Sequence, residues 1–540
     1  MKRVASTGQA VLGFDLGRVA GPVESKAGDE DFLDDDAGHM MIGDQRLDAL
    51  LKGTGMGWVV QLKRELRELD YSLLTVRYSS QGRKGFHPRM LLGLIVCGIM
   101  ERHSTLRELE SLSEVNLGAW WICGGRKVDH STIGKFVQMH DEALGDEFFR
   151  EFVKLLVGRL GLKVGVASID GTVIEAAGSR WSALRQEAAR QIAEEAKRDA
   201  ARSPKDAKLA QAATRASAVL KEVEKRAAAR AKQGKDPKTV AVVATEVEAV
   251  IQPRKDGVQR AGYKPSTLMH ESGFILGQHV HPSSEIASVA PLLEQHQAIF
   301  SEAPSTLLID AGYHTAALLG SLAEQEIDVL CPSGQTFKAQ GQWTKRSPHK
   351  LLPKREFAYD PQTDTYVCPA GERLRHRGDG KERNGLGYRL YRADACGSCA
   401  LRSQCTTSQR GREVKRHAGE EHKEAMEKVL EQPRAREMYK RRLAMAEPVY
   451  AELRERQGLR RFRRRGIRGA RVEFALHCLA LNLRKALRAG VFKGVLSALS
   501  SHGKRLSAFL VLWAVPKPPR ASKGRFSAGL AFPRAAALLN

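Results

Sequence analysis

Two apolar segments that each run straight into an aspartate constrain this chain more than any other feature of it. Val164-Gly165-Val166-Ala167-Ser168-Ile169 leads into Asp170 and then Gly171-Thr172-Val173-Ile174-Glu175, and Thr306-Leu307-Leu308-Ile309 leads into Asp310-Ala311-Gly312-Tyr313. Short apolar runs bounded by Gly and small residues read as buried strands, so each should deliver a carboxylate at its end. A third acid, Glu447, closes Tyr439-Lys440-Arg441-Arg442-Leu443-Ala444-Met445-Ala446, a stretch of good helix formers that presents it from a helix. Pro448 directly after it suits a first helical turn or a kink. Asp before Gly is, taken singly, ordinary turn chemistry. Three such acids together suit Mg²⁺, a hard ion that takes one or two carboxylates plus phosphate oxygens, and a pair of these ions can run an in-line phosphoryl displacement.

The segments Ile169-Asp170-Gly171-Thr172, Asp310-Ala311-Gly312-Tyr313 and Tyr439-x-x-Arg442 with Glu447 and Arg454 beyond resemble, in order, the three acid-bearing motifs of DDE transposases from bacterial insertion sequences. The resemblance runs from about Phe86 to about Leu487. Arg454 stands where many relatives carry Lys, which keeps the charge and changes its geometry. The resemblance implies an α/β fold: a ribonuclease-H-like catalytic core with an N-terminal helical DNA-binding domain and insertions. Asp170 would lie on the first core strand, Asp310 on the fourth and Glu447 on a late helix. It further implies an enzyme dependent on Mg²⁺ (or Mn²⁺) that binds element ends, cleaves phosphodiester bonds and joins the 3′-hydroxyl to target DNA. Asp170 and Asp310 would bridge the metal ions and Glu447 would complete the second site, while Tyr439, Arg442 and Arg454 hold the double-stranded DNA. A homodimer is implied because transposition joins two ends. Two other functions fit the same residues: a ribonuclease-H-like nuclease without strand transfer, and a non-catalytic DNA-binding regulator.

Charge points the same way. A formal net charge of +25 over 540 residues calls for an anionic polymer as partner, nucleic acid before membrane. No apolar run is long enough to span a bilayer and no signal-like N-terminus is present, so a cytoplasmic protein is expected. The N-terminal segment, residues 1–44, carries Asp29-Glu30-Asp31 and Asp34-Asp35-Asp36 and reads as an acidic, flexible arm. Beyond Glu447 lies the strongest basic tract, with Arg454, Arg456, Arg460, Arg461, Arg463, Arg464, Arg465, Arg468 and Arg471. Next to a phosphoryl-transfer acid it is suited to gripping phosphates, above all through Arg461, Arg464 and Arg465.

Residues 45–155 read as a helical DNA-binding domain: Leu47, Leu50, Leu51, Val59, Leu62, Leu66 and Leu69 recur at near-helical spacing. Met90 to Met100 form an apolar run of buried-helix length, and Thr105 with Glu108 makes a capping box. Asp129-His130-Ser131-Thr132 opens a candidate recognition helix. The catalytic domain spans 160–490 and carries two insertions, a helical one at 180–250 and one holding a cysteine cluster at 335–430; 491–540 is a basic tail. The helical insertion is placed after the second core strand, with Leu184, Ala188, Ile192 and Ala196 on one helix face and Leu209, Ala213, Ala216 and Leu220 on the next.

Four of the eight cysteines, Cys368, Cys396, Cys399 and Cys405, gather between Asp310 and Glu447. The Cys396-x-x-Cys399 spacing is one at which two thiolates meet a Zn²⁺ ion, and a full thiolate set leaves no open position, so a structural zinc is expected.

Overall fold

The computed structural model describes residues 28–253, 257–334, 351–382 and 385–489. The basic tail 491–540 and the first 27 residues of the N-terminal arm lie outside the described residues. The chain divides into two compact units, residues 1–95 with 109–136 and residues 96–108 with 137–540.

The first unit is helical because leucines at turn spacing bury one stripe. Leu47 and Leu51 of one helix and Val59, Leu62 and Leu66 of the next are buried, as the sequence pattern predicts. Helix α1 (Pro88–Met100) is apolar on all sides and is buried accordingly. Helix α2 (Leu106–Val115) opens on the expected capping box: Glu108 N–H donates to Thr105 Oγ1 at 3.2 Å, and Thr105 N–H to Glu108 Oε2 at 2.9 Å. Helix α3 (His130–Met139) starts at Asp129, which accepts from Ser131 N and Thr132 N and from both hydroxyls. The polar residues expected to open a recognition helix therefore build its N-terminal cap.

Residues 28–44 differ from the expected flexible arm. Phe32–Leu33 pairs with Gly85–Phe86. Asp35 is only 2% exposed and is ringed by Lys63, Arg67 and Arg89, at 3.8, 3.1 and 3.3 Å. Acidic density that repels itself in an isolated segment becomes an anchor once three cations surround it.

The second unit is built on a sheet whose path begins with β1 (Val166–Gly171). Helices α4 (Gln186–Arg202) and α5 (Ala207–Lys232) follow as a hairpin, then β2 (Gln259–His270), β3 (Ile275–His281), β4 (Thr306–Leu308) and β5 (Val329–Leu330). These strands lie side by side in the order β3-β2-β1-β4-β5. The first three are antiparallel neighbours, and β4 and β5 run parallel to β1. Edge strand β3 is held by Asn482, which accepts from Ile275 N at 2.9 Å and donates to Ile275 O at 2.8 Å.

The helical insertion follows the short strand Ile174–Glu175, which lies in the same sheet and pairs with the start of β2. Its packing face differs from the expected one. Leu184 lies in a short strand, Ile192 is exposed, and Ala189, Ala193, Val219, Val223 and Ala227 are buried instead. A helix rich in Ala carries several stripes of similar hydrophobicity, so periodicity does not choose among them.

A second sheet follows, with β6 (Ala358–Asp360), β7 (Thr365–Val367), β8 (Arg373–Lys381), β9 (Gly387–Arg392) and β10 (Glu413–His417) as an antiparallel series in chain order. Helices α6 (Glu420–Glu431), α7 (Pro433–Ala451) and α8 (Gly466–Arg488) complete the unit. No helix among the described residues is long and apolar enough to cross a membrane.

Candidate functional site

The parallel register of β1 and β4 creates the site. Ala167 pairs with Leu307 and Ser168 with Leu308, so Asp170 and Asp310, each two residues beyond Ser168 and Leu308, leave neighbouring strand ends at the same level. Ser168 fastens the two strands by donating its buried hydroxyl to Leu308 O at 3.0 Å.

Asp310 serves two ends. Its Oδ1 accepts from Gly312 N at 2.7 Å and caps the turn Ala311–Tyr313, the ordinary turn role of Asp. Its Oδ2 faces Arg442 of α7 at 3.7 Å. The same Arg442 nitrogen lies 2.9 Å from Asp170 Oδ1. Burial raises the Asp170 carboxyl above its usual value, with Arg442 opposing and the negative charges of Asp310 and Glu285 reinforcing the shift. Burial works against the charge on Arg442 too, but Asp170 and Asp310 hold it protonated above its usual value.

Helix α7 bears the rest of the third motif. Pro433 occupies its first turn, where a missing N–H costs nothing. Tyr450, one turn beyond Glu447, donates its hydroxyl to Asp170 O and lies 3.2 Å from Thr267 Oγ1 on β2. Burial pushes Tyr439 up to about 12. Glu447 is exposed on this helix. Pro448 lies inside α7 rather than at its start, and the chain widens into a π-helical turn at Glu452–Arg456.

The arginine tract is not one basic helix. Helix α7 ends at Ala451 and α8 starts at Gly466, so Arg460 to Arg465 lie on the connection. Arg461 donates to the carbonyls of Ala176, Ala177 and Gly178 at 3.1, 2.7 and 3.0 Å. Burial lowers the pKa of Arg464, whose charge lies near Glu473. Arg468 pairs with Asp141 and Glu142 at 2.9 Å each. Arg465 is exposed and Arg454 half-buried. Arg461→Ala is expected to lower stability by about 0.5–1.5 kcal/mol, since water can reach the released carbonyls, read as a drop in the thermal unfolding midpoint.

One acid near the pair was not singled out from the sequence. Glu285, just past β3, pairs with Lys264 of β2 at 3.2 Å. Its side chain runs along Gly171, where a Cβ would fall 2.6 Å from Glu285 Cγ. Only the antiparallel register of β2 on both β1 and β3 reveals that proximity.

Among the described residues, no group of three or more His, Cys, Asp or Glu side chains is placed to hold a metal ion. Asp170 and Asp310 meet at Arg442, but Glu447 does not join them in such a group. The structural zinc expected at Cys368, Cys396, Cys399 and Cys405 is likewise unsupported. That module is organised around Phe357, Tyr366, Leu374, Tyr391 and Val414, with Cys368, Cys396 and Cys405 packed against this core. A spacing that suits a metal therefore coincides here with a module that has its own apolar centre.

Residues 367–487 match the family model of a transposase DDE domain, and residues 60–139 that of a transposase domain (DUF772). No curated protein matches the chain. A domain of the DDE type implies an enzyme that cuts DNA and uses divalent metal ions. The two matches support a DDE-type transposase of an insertion element.

Proposed function

We propose that this transposase binds the ends of its own element, cleaves there and transfers the 3′-hydroxyl strand to target DNA, on a ribonuclease-H-like core. The observation that carries the reading is the convergence of Asp170 and Asp310 on a single guanidinium nitrogen. The strand order β3-β2-β1-β4-β5, with Asp170 on the first strand and Asp310 just past the fourth, supports the core assignment.

Hard carboxylate oxygens fit Mg²⁺ or Mn²⁺. Asp170 and Asp310 would hold the ions, and Glu447 of α7, which stands outside their group, would have to approach them to complete the second site. When bound, such ions activate the attacking oxygen and stabilise the leaving one. Arg442 neutralises the paired acids and would hold a phosphate beside them. Tyr439, Arg454 and Arg465 would place the DNA end, and the helical unit that includes residues 60–95 would recognise it. A homodimer would bring two ends together.

A pre-cut element end incubated with target DNA and Mg²⁺ tests the reaction type. Joined strands are the expected product; hydrolysed ends without joining would reduce the assignment to a nuclease. Gly171→Ala probes the wall of the site. Because the added Cβ would displace the Glu285 side chain and the buried Ser266 Oγ, 2.9 Å away, stability should fall by about 1–3 kcal/mol. Strand cleavage should drop about tenfold, the equivalent of 1.36 kcal/mol in the barrier, if the carboxylate near Asp170 matters; an unchanged rate would remove Glu285 from the site.

A further inference from the structure

The sheet β6–β10 has a covered face and an open one. Tyr366, Leu374, Tyr391 and Val414 point into the covered face, where Arg416 also reaches Glu424 of α6 at 2.6 Å. Alternation along the strands puts Arg373 and Arg375 of β8, Arg392 of β9 and Lys415 of β10 on the other face. Arg375 stands directly opposite Arg392, an arrangement of like charges that destabilises an antiparallel pair.

Local compensation is partial, and Arg373 lies in the field of Asp360. Arg392 reaches Glu413 at 3.3 Å and Lys415 reaches Glu382 at 3.0 Å. The Asp394 carboxyl, exposed and paired with Arg377, is held below its usual value first by that arginine and then by the fields of Arg375 and Arg392. Among the described residues Arg373 and Arg375 form no ion pair. The face offers little for base recognition. Tyr388 lies against Gly380, where a Cβ would fall 2.5 Å from the ring, and Lys415 Nζ is 4.3 Å from the ring centre. That ring is engaged by backbone and cation rather than presented for stacking on an unpaired base.

We propose that this open face, through Arg373, Arg375, Arg392 and Lys415, binds the phosphate backbone of duplex DNA without reading its sequence. The proposal rests on the reading that the chain acts on DNA, and it adds a contact surface apart from the arginine tract, much of which is committed to internal partners. Phosphate contacts of this kind fix position and carry no sequence information.

The test uses the full-length chain and a fluorescent duplex of arbitrary sequence, with the corresponding single strand as a second probe. Arg373→Glu with Arg375→Glu should weaken duplex binding at least about tenfold and flatten the slope of log affinity against log salt by about 2, given roughly 0.9 per lost phosphate contact. The matching pair of Gln substitutions, which keeps the side-chain stems, should shift both quantities the same way by less. Unchanged affinity and slope in both variants would mean an ordinary solvated face and overturn the proposal. A loss confined to the single strand would overturn the duplex assignment. Asp170→Asn separates the two readings, since it should remove cleavage and spare duplex binding. Cleavage by the wild type together with undiminished binding by the Glu variant would reject the face and leave the transposase reading intact.

Discussion

Asp170→Asn and Asp310→Asn are each expected to lower strand cleavage at least about a thousandfold while leaving end binding within about twofold of the wild type. A thousandfold corresponds to about 4 kcal/mol of lost transition-state stabilisation, at 1.36 kcal/mol per factor of ten. The amide is nearly isosteric with the carboxylate, so the strand ends and the Ser168 tie between β1 and β4 stay in place. What disappears is one anionic oxygen ligand from a site that draws on few. Cleavage of a labelled element end in Mg²⁺, set beside a binding titration, reads both quantities. Retained cleavage in either variant would sink the assignment of these two acids.

Asp35→Asn should produce the largest loss of stability, about 3 kcal/mol or somewhat more. Removing one partner of a buried ion pair leaves the other charged and desolvated, which typically costs about 3–5 kcal/mol. Lys63, itself pushed down to about 8 by burial, would keep its hydrogen bond to Trp121 O at 2.6 Å, so the lower part of that range applies. The effect has a definite pH dependence. Burial acts to raise the Asp35 carboxyl, but Lys63, Arg89 and Arg67 outweigh it and hold the pKa below 3.8. A carboxyl depressed in the folded state contributes stability that is present above its unfolded value and lost as pH falls through the folded one. The gap between wild type and variant in urea unfolding should therefore be flat from about pH 5 up to the Lys63 value of about 8 and close as the pH drops below 3.8. A gap that widens on acidification would contradict the arrangement around Asp35.

Much of the fold and part of the candidate site are legible in the chain itself. The two apolar runs ending in Asp170 and Asp310 form β1 and the β4 segment, and the Met90–Met100 run forms a buried helix. The Thr105–Glu108 cap closes as its spacing requires. Each of these depends on contacts within a few residues or on a uniformly apolar run, so neighbouring side chains suffice to dictate the outcome. Asp310 caps its turn with one carboxylate oxygen and faces Arg442 with the other.

Tertiary structure decided the rest. The acidic segment at Asp35 is anchored because Lys63, Arg67 and Arg89 come from distant parts of the first unit. Arg461 is occupied by carbonyls more than 280 residues earlier in the chain. Arg442 stands between two acids that no local pattern links to it, and Glu285 neighbours Asp170 through strand register alone. The sequence by itself determined where carboxylates and cations are supplied. Which of them meet, and which remain on the surface, was decided by the fold, because a charge acts over a few ångströms of space and is indifferent to its distance along the chain.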